Sequence, residues 1–308
     1  MTDPTERKTA PKPARKTAAD FDPEVLRLFD QYVHGQLDRR GFLERAGRIA
    51  AASGATAAGL LAALSPDFAL GQRVAPGDAR IRAELVEFPS PAGYGKVRAY
   101  LARPAQAAAP LPVVLVAHEN RGLNPHIEDI ARRLALDNFM ALAPDALAPL
   151  GGYPGDEDKA RELFAKLDQA KTREDFVAAA AYARGLSGGN GRLGAVGFCY
   201  GGGVVNMLAT RMPELAAGVP FYGNAAPLDE VGKIKCELLH VFAESDERIN
   251  AAWPAYDAAL KAAGVRSEAL KYPGTQHGFN NDTTPRFNEA AAAQAWARTL
   301  AFFNRTLR

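Results

Sequence analysis

Gly197-Phe198-Cys199-Tyr200-Gly201-Gly202 sets a thiol among glycines, with an apolar run from Leu193 to Gly197 before it and a helical pattern, Gly203 to Ala209, after it. A strand that turns this tightly into a helix admits only glycine on either side, and the turn lifts one side chain above the sheet at a helix N-terminus. A thiol so placed is a nucleophile once a base takes its proton. Partners follow downstream. Val241-Phe242-Ala243-Glu244-Ser245-Asp246 reads as a strand ending in an acid. Tyr272-Pro273-Gly274-Thr275-Gln276-His277-Gly278-Phe279 puts a histidine in a loop marked by Pro-Gly before it and Gly after it. Cys199 is the expected nucleophile, His277 the expected general base, and Asp246 the group that orients the imidazole and stabilises its cation. Acyl transfer through a thioester is the chemistry such a set performs.

Nucleophile, acid, histidine is the chain order of the α/β-hydrolases. Together with Ala117-His118-Glu119-Asn120-Arg121-Gly122 after an early strand and Asp145 in Ala143-Pro144-Asp145, these residues resemble the dienelactone hydrolase family over roughly residues 80 to 308. The likeness is greatest to bacterial members with an N-terminal extension. It implies an α/β-hydrolase fold, a largely parallel sheet flanked by helices; no cofactor is expected. It also implies an oxyanion hole built from the backbone N–H groups of Tyr200 and Asn120. Glu119 matches a family glutamate that lies beside the resting thiol and holds or releases its proton as substrate arrives. A second reading has Glu119 paired with Arg121 or another nearby arginine. Members that act on dienelactone hold its carboxylate with basic residues, one of them just after the catalytic histidine. Here that stretch is Gly278-Phe279-Asn280-Asn281-Asp282, without arginine. Arg121, Arg161 and Arg248 are candidate substitutes. Tyr153, Tyr222, Trp253 and Phe279 are candidate walls of an apolar pocket, each equally readable as core packing. The expected substrate is a small ester or lactone, with dienelactone one candidate.

Two readings from other classes compete. A thiol redox protein needs a resolving cysteine, and the second cysteine, Cys236, opens an apolar strand at the end opposite the expected site, where it reads as a core thiol. A catalytically silent binding module on the same fold is the other. Among the remaining histidines, His240 lies within an apolar strand and reads as a hydrogen-bonded core residue. His126 starts a helix, His34 precedes the catalytic region, and His118 points away from Glu119 by strand alternation. Neither metal-ligand spacing nor a lysine-bearing phosphate loop is present.

At 308 residues and 47% hydrophobic composition, the chain can bury one large core. Its net charge of +2, with many basic residues before position 50, argues against a nucleic-acid partner. Residues 1–71 form an extension and residues 72–308 the catalytic domain. Positions 1–20 are rich in Lys, Pro, Thr and Ala and read as disorder. Asp22 then caps a short amphipathic helix with Pro23 at its first position. Arg39-Arg40 precede an Ala/Gly/Leu-rich run, Ile49 to Leu64, and Ala69-Leu70-Gly71 has the small residues of a cleavage site, similar to a twin-arginine export signal and hence a periplasmic location. The alternative is a helical arm packed on the catalytic domain of a cytoplasmic protein, with both arginines as solvated charges. The Ala-rich run is too weakly apolar for a permanent membrane span.

From Ile81 onward strands alternate with helices: strands at 98–103, 111–117, 139–143, 193–197, 217–222, from 236 and at 268–272, and helices at 127–136, 156–184, 255–263 and 290–307. This alternation implies a largely parallel sheet with right-handed crossovers.

Overall fold

The side chain of Asp22 accepts the Glu24 N–H at 2.8 Å and opens helix α1 (Pro23–Val33). Asp38 does the same for α2 (Arg39–Ser53) through Gly41 N–H at 2.7 Å, and α3 (Ala57–Leu64) follows. Phe29, Tyr32 and Phe42 pack their rings together with Leu61 and Leu64 into a small core of their own. Arg39 and Arg40 are the exposed first residues of α2. The computed structural model describes residues 15–308, so most of the Lys- and Pro-rich start, positions 1–14, lies outside the described residues. These helices belong to one compact unit ending at Leu64; a second runs from Ser65 to Arg308. Among the described residues no helix is long and apolar enough to cross a membrane.

The second unit opens with α4 (Phe68–Gly71) and is built on eight strands: β1 (Ile81–Ser90), β2 (Gly95–Pro104), β3 (Leu111–Ala117), β4 (Met140–Pro144), β5 (Gly189–Phe198), β6 (Leu215–Phe221), β7 (Glu237–Ser245) and β8 (Ser267–Gln276). They form one sheet in the order β1-β2-β4-β3-β5-β6-β7-β8. β1 and β2 form an antiparallel hairpin that pairs antiparallel with β4, and the pairs from β4 to β8 are parallel. Helices α5 (Pro125–Leu136), α6 (Glu157–Phe164), α7 (Gln169–Arg184), α8 (Tyr200–Arg211), α9 (Glu247–Asn250), α10 (Trp253–Ala262) and α11 (Glu289–Leu307) connect and cover them. Every residue of β3 is buried because its two faces meet different layers. Val113 and Leu115 join the core under α7 and α8; Val114 and Val116 join the core under α5 and α11.

The helix expected over 156–184 is two helices. Asp168 accepts the N–H groups of Ala170 and Lys171 at 2.9 and 3.3 Å, and this cap starts α7 afresh after α6 has ended. The break lets Phe164 and Leu167 both turn inward.

Chain order and strand order reverse between β3 and β5, where β4 lies to one side and β6 to the other. Sites of such sheets assemble at the carboxyl ends of the strands on either side of this switch point. Here the two strands and α8 meet without side chains between them. A Cβ on Gly201 would lie 2.1 Å from the Ala117 carbonyl oxygen, and one on Gly197 would lie 2.1 Å from that of Gly201. Both obstacles are backbone, so Gly201→Ala is expected to cost at least about 2 kcal/mol. The check is a lower urea midpoint at unchanged m-value; a midpoint equal to the wild type's would show that the elbow has slack.

Candidate active site

Register alone brings the chemical side chains together. β3 pairs Ala117 with Gly197, so Glu119 and Cys199 each leave the same edge of the sheet two residues past that pair, and both act on the Tyr222 hydroxyl. β5 pairs Phe198 with Phe221, which sets Tyr222 next to Cys199. β7 pairs Ser245 with Gln276, which sets Asp246 next to His277.

Cys199 has φ +57° and ψ −113°, a backbone state that a non-glycine residue adopts only when its surroundings impose it. Its N–H donates to the Phe221 carbonyl at 3.1 Å, and it stands immediately before α8 with its thiol partly exposed. The positive end of the helix dipole favours negative charge on that sulfur. Tyr200, the first residue of α8, has an N–H with no acceptor inside the helix. Asn120 lies in the turn after β3, where its side-chain oxygen accepts from Arg121 at 3.0 Å.

His277 is buried, and its Nδ1 lies 2.6 Å from Asp246 Oδ2, which is buried too. A ring nitrogen is within 4.8 Å of Cys199 Sγ. Burial works against a charged imidazole, yet the Cys199 sulfur and then the Asp246 carboxylate raise the pKa from 6.5 to about 10. The Tyr222 ring packs on the imidazole at 4.8 Å between centroids, with Phe279 behind it at 5.8 Å. Burial, reinforced by Glu119 and Cys199, keeps the Tyr222 hydroxyl neutral.

Glu119 is buried and accepts from Asn281 Nδ2 at 3.1 Å. The Glu119–Arg121 pair allowed by the sequence is not the one formed. Arg121 Nε instead lies 2.6 Å from Glu157 Oε2 at the start of α6, and Tyr153 donates its hydroxyl to the other Glu157 oxygen at 2.9 Å. Burial raises the Glu157 pKa and Arg121 counters it. Arg161 pairs with Asp158 one turn back at 2.9 Å. Arg248 lies in α9, just after Asp246.

Two of the aromatic candidates belong to the core. Trp253 packs on His240 and Phe242 at 4.9 and 5.0 Å, because both project from β7 toward α10. Phe279 is fully buried between Tyr222 and Tyr272. Tyr153 packs edge-on against Phe68. His240 Nε2, expected to be hydrogen-bonded, has no bonding partner among the described residues; burial lowers its pKa to about 3 and keeps the ring neutral.

Supporting groups shape the turn after β3. His118 Nε2 accepts the Ala146 N–H at 3.1 Å, so Nδ1 carries the proton and donates to the Glu119 carbonyl. Asp145 accepts from Leu147 N–H at 3.0 Å, from Leu123 N–H at 3.4 Å and from Arg98 at 2.8 Å, tying the turns after β3 and β4 together. Sequence reasoning missed Glu157, Asn281 and Arg286, whose guanidinium lies 3.2 Å from where a Cβ on Gly278 would stand. No spacing pattern links these positions to the site. The polar run Asn280 to Thr284 is buried throughout.

Residues 97–307 match the model of the dienelactone hydrolase family. The chain belongs to that family. A protein of Escherichia coli (strain K12) named "Putative carboxymethylenebutenolidase" is 34% identical over 220 residues, 67% of this chain and 81% of its own length. Another from that strain, "Putative hydrolase fragment YghX", is 51% identical over 113 residues, 37% of this chain and 97% of its own. A solved structure described as a "Putative Dienelactone Hydrolase" from Klebsiella pneumoniae subsp. pneumoniae superposes with a TM-score of 0.66 at 30% identity, covering 73% of this chain and 99% of that one. Residues 12–51 match a separate model described as YqhI-like. This dienelactone hydrolase family member is an enzyme, a hydrolase of the ester or lactone type.

The field around His277 is testable without substrate. Removing the sulfur by Cys199→Ala leaves the burial that opposes protonation and deletes the largest contribution that favours it. The imidazole resonances are expected to titrate near pH 10 in the wild type and at lower pH in the variant. An NMR titration unchanged by the substitution would mean that sulfur and imidazole are electrically independent.

Proposed function

We propose that this enzyme hydrolyses a small ester or lactone through Cys199, His277 and Asp246, by way of a thioester acyl-enzyme. The observation that carries the reading is a thiol on a positive-φ elbow at a helix N-terminus, beside an imidazole whose far nitrogen is held by a buried carboxylate at 2.6 Å. With Nδ1 engaged by Asp246, Nε2 serves the sulfur. The Cys199 thiolate attacks the acyl carbon, and the Tyr200 and Asn120 N–H groups receive the developing oxyanion. The C–O bond to the leaving group then breaks, and the departing oxygen takes the proton from His277. A water molecule gives its proton to His277, adds to the thioester carbon and expels the Cys199 sulfur, returning the site to its starting state. Glu119 is the gate: its charge beside Cys199 restrains the resting thiol.

The redox alternative draws no support from the second cysteine. Cys236 is buried in the core under α8 and α10, whereas Cys199 packs against the core on the opposite face of the sheet. As to substrate, Arg121 and Arg161 are already ion-paired with Glu157 and Asp158, which favours an ester or lactone without a carboxylate of its own.

Turnover of p-nitrophenyl acetate tests the assignment. Cys199→Ala should abolish it, and Cys199→Ser should keep at most a small residue. His277→Ala and Asp246→Asn should each lower kcat by about 10²-fold or more, and the double variant should lose little beyond the worse single one. Unchanged kcat/KM in Cys199→Ala would sink the reading. A panel pairing neutral with carboxylate-bearing esters and lactones tests the substrate preference.

A further inference from the structure

Asn281 lies in the buried polar loop after His277, and its amide has one allowed orientation. Its Oδ1 accepts both the N–H and the hydroxyl of Thr283, at 3.1 and 2.6 Å. Since the oxygen is engaged there, the NH2 must face the other way, and it donates to Glu119 Oε2 at 3.1 Å. The next residue anchors the loop. Asp282 Oδ2 accepts from Arg73 Nε and from the Arg133 guanidinium, each at 2.7 Å, and His126 Nδ1 lies 3.3 Å from Oδ1. Thr283 is bound on its far side as well, its carbonyl accepting the Asp67 N–H at 2.8 Å. The amide that meets Glu119 is thus fixed by its own neighbours and by a buried charge cluster. The donor is neutral: it holds the carboxylate in place without cancelling its charge.

We infer that Asn281 is a positioning residue that keeps the Glu119 carboxylate beside Cys199 and thereby sets how reactive the resting thiol is. The inference rests on the reading of Cys199 as nucleophile and Glu119 as its restraint. An apolar residue at position 281 would let the carboxylate swing away. The amide prevents this, so the carboxylate stays where β3 and β5 deliver it.

The test measures iodoacetamide labelling of Cys199 in the full chain at pH 8, together with kcat and KM on p-nitrophenyl acetate and the melting temperature. Asn281→Leu frees Glu119 and should speed labelling roughly tenfold, as Glu119→Gln should. The double variant Asn281→Leu/Glu119→Gln should label no faster than Glu119→Gln alone. Asn281→Asp adds a second carboxylate and should slow labelling instead. This opposition of sign separates positioning from mere loop support, which would shift both Asn281 variants the same way. Should Asn281→Leu fail to fold, Asn281→Ser and Thr283→Val, which loosen the amide without an apolar intrusion, should each speed labelling by a smaller factor. Labelling within twofold of wild type in the folded variants, or additive effects in the double variant, would overturn the inference. Cys199→Ala run alongside separates the two claims: if it retains turnover, the nucleophile assignment fails; if it is inactive while the Asn281 variants behave as wild type, only the role of Asn281 fails.

Discussion

The approach of Gly201 to the Ala117 carbonyl is the constraint from which the site follows. With no side chain between them, α8 begins directly above the carboxyl end of β3, and the turn from β5 has one residue in which to change direction. That residue is Cys199, and its positive φ is the cost. The Cys199 N–H bond to Phe221 and the parallel pairing on both sides of β5 over-determine the turn, which is how such strain persists in a folded chain. Once the elbow is fixed, the register of neighbouring strands needs no further instruction. One or two residues past the last paired position of each strand lie Glu119, Cys199, Tyr222, Asp246 and His277.

Burial of charge then selects which side chains face each other. Arg121 with Glu157, Asp282 with Arg133 and His126, and His277 with Asp246 are each held with a partner inside the protein. Buried pairs of this kind add little net stability relative to apolar packing, but losing one member costs about 3–5 kcal/mol because the other is left uncompensated. They act as locks on position. Arg133 also donates to the Gly71 carbonyl and Arg132 to that of Val74, so the segment after α4 is stitched to α5, and Asp282 joins both to the loop that carries His277.

What could be read in the chain and what could not divide along physical lines. The elbow, the acid after β7 and the histidine loop are local: glycine, proline and the end of an apolar run sit within a few residues of the group they place. The cap at Asp22 is legible for the same reason. The break between α6 and α7 was hidden because apolar periodicity continues across it while a single aspartate restarts the helix. The fate of Arg121 was hidden more deeply. Glu119 is its near neighbour in sequence and Glu157 its partner in space, and only the packing of α6 over the turn after β3 decides between them. Asn281 could not be found from composition, since a run of Asn, Asp and Thr looks solvated until its neighbours are known.

The two cysteines show how little residue type decides by itself. Cys236 stands just before β7 in an apolar layer, and burial pushes its thiol up to about 12, so it stays protonated and inert. Cys199 has the same side chain but stands where a helix begins, beside an imidazole that is itself held charged by the sulfur and by Asp246. The carboxylate makes the imidazolium's charge tolerable, and in the proposed mechanism the imidazolium does the same for a thiolate. Glu119, which in the proposed mechanism opposes a thiolate, is held by the Asn281 amide rather than by an arginine. In that mechanism a neutral donor leaves the repulsion between Glu119 and Cys199 in place, so the thiol is restrained until substrate arrives.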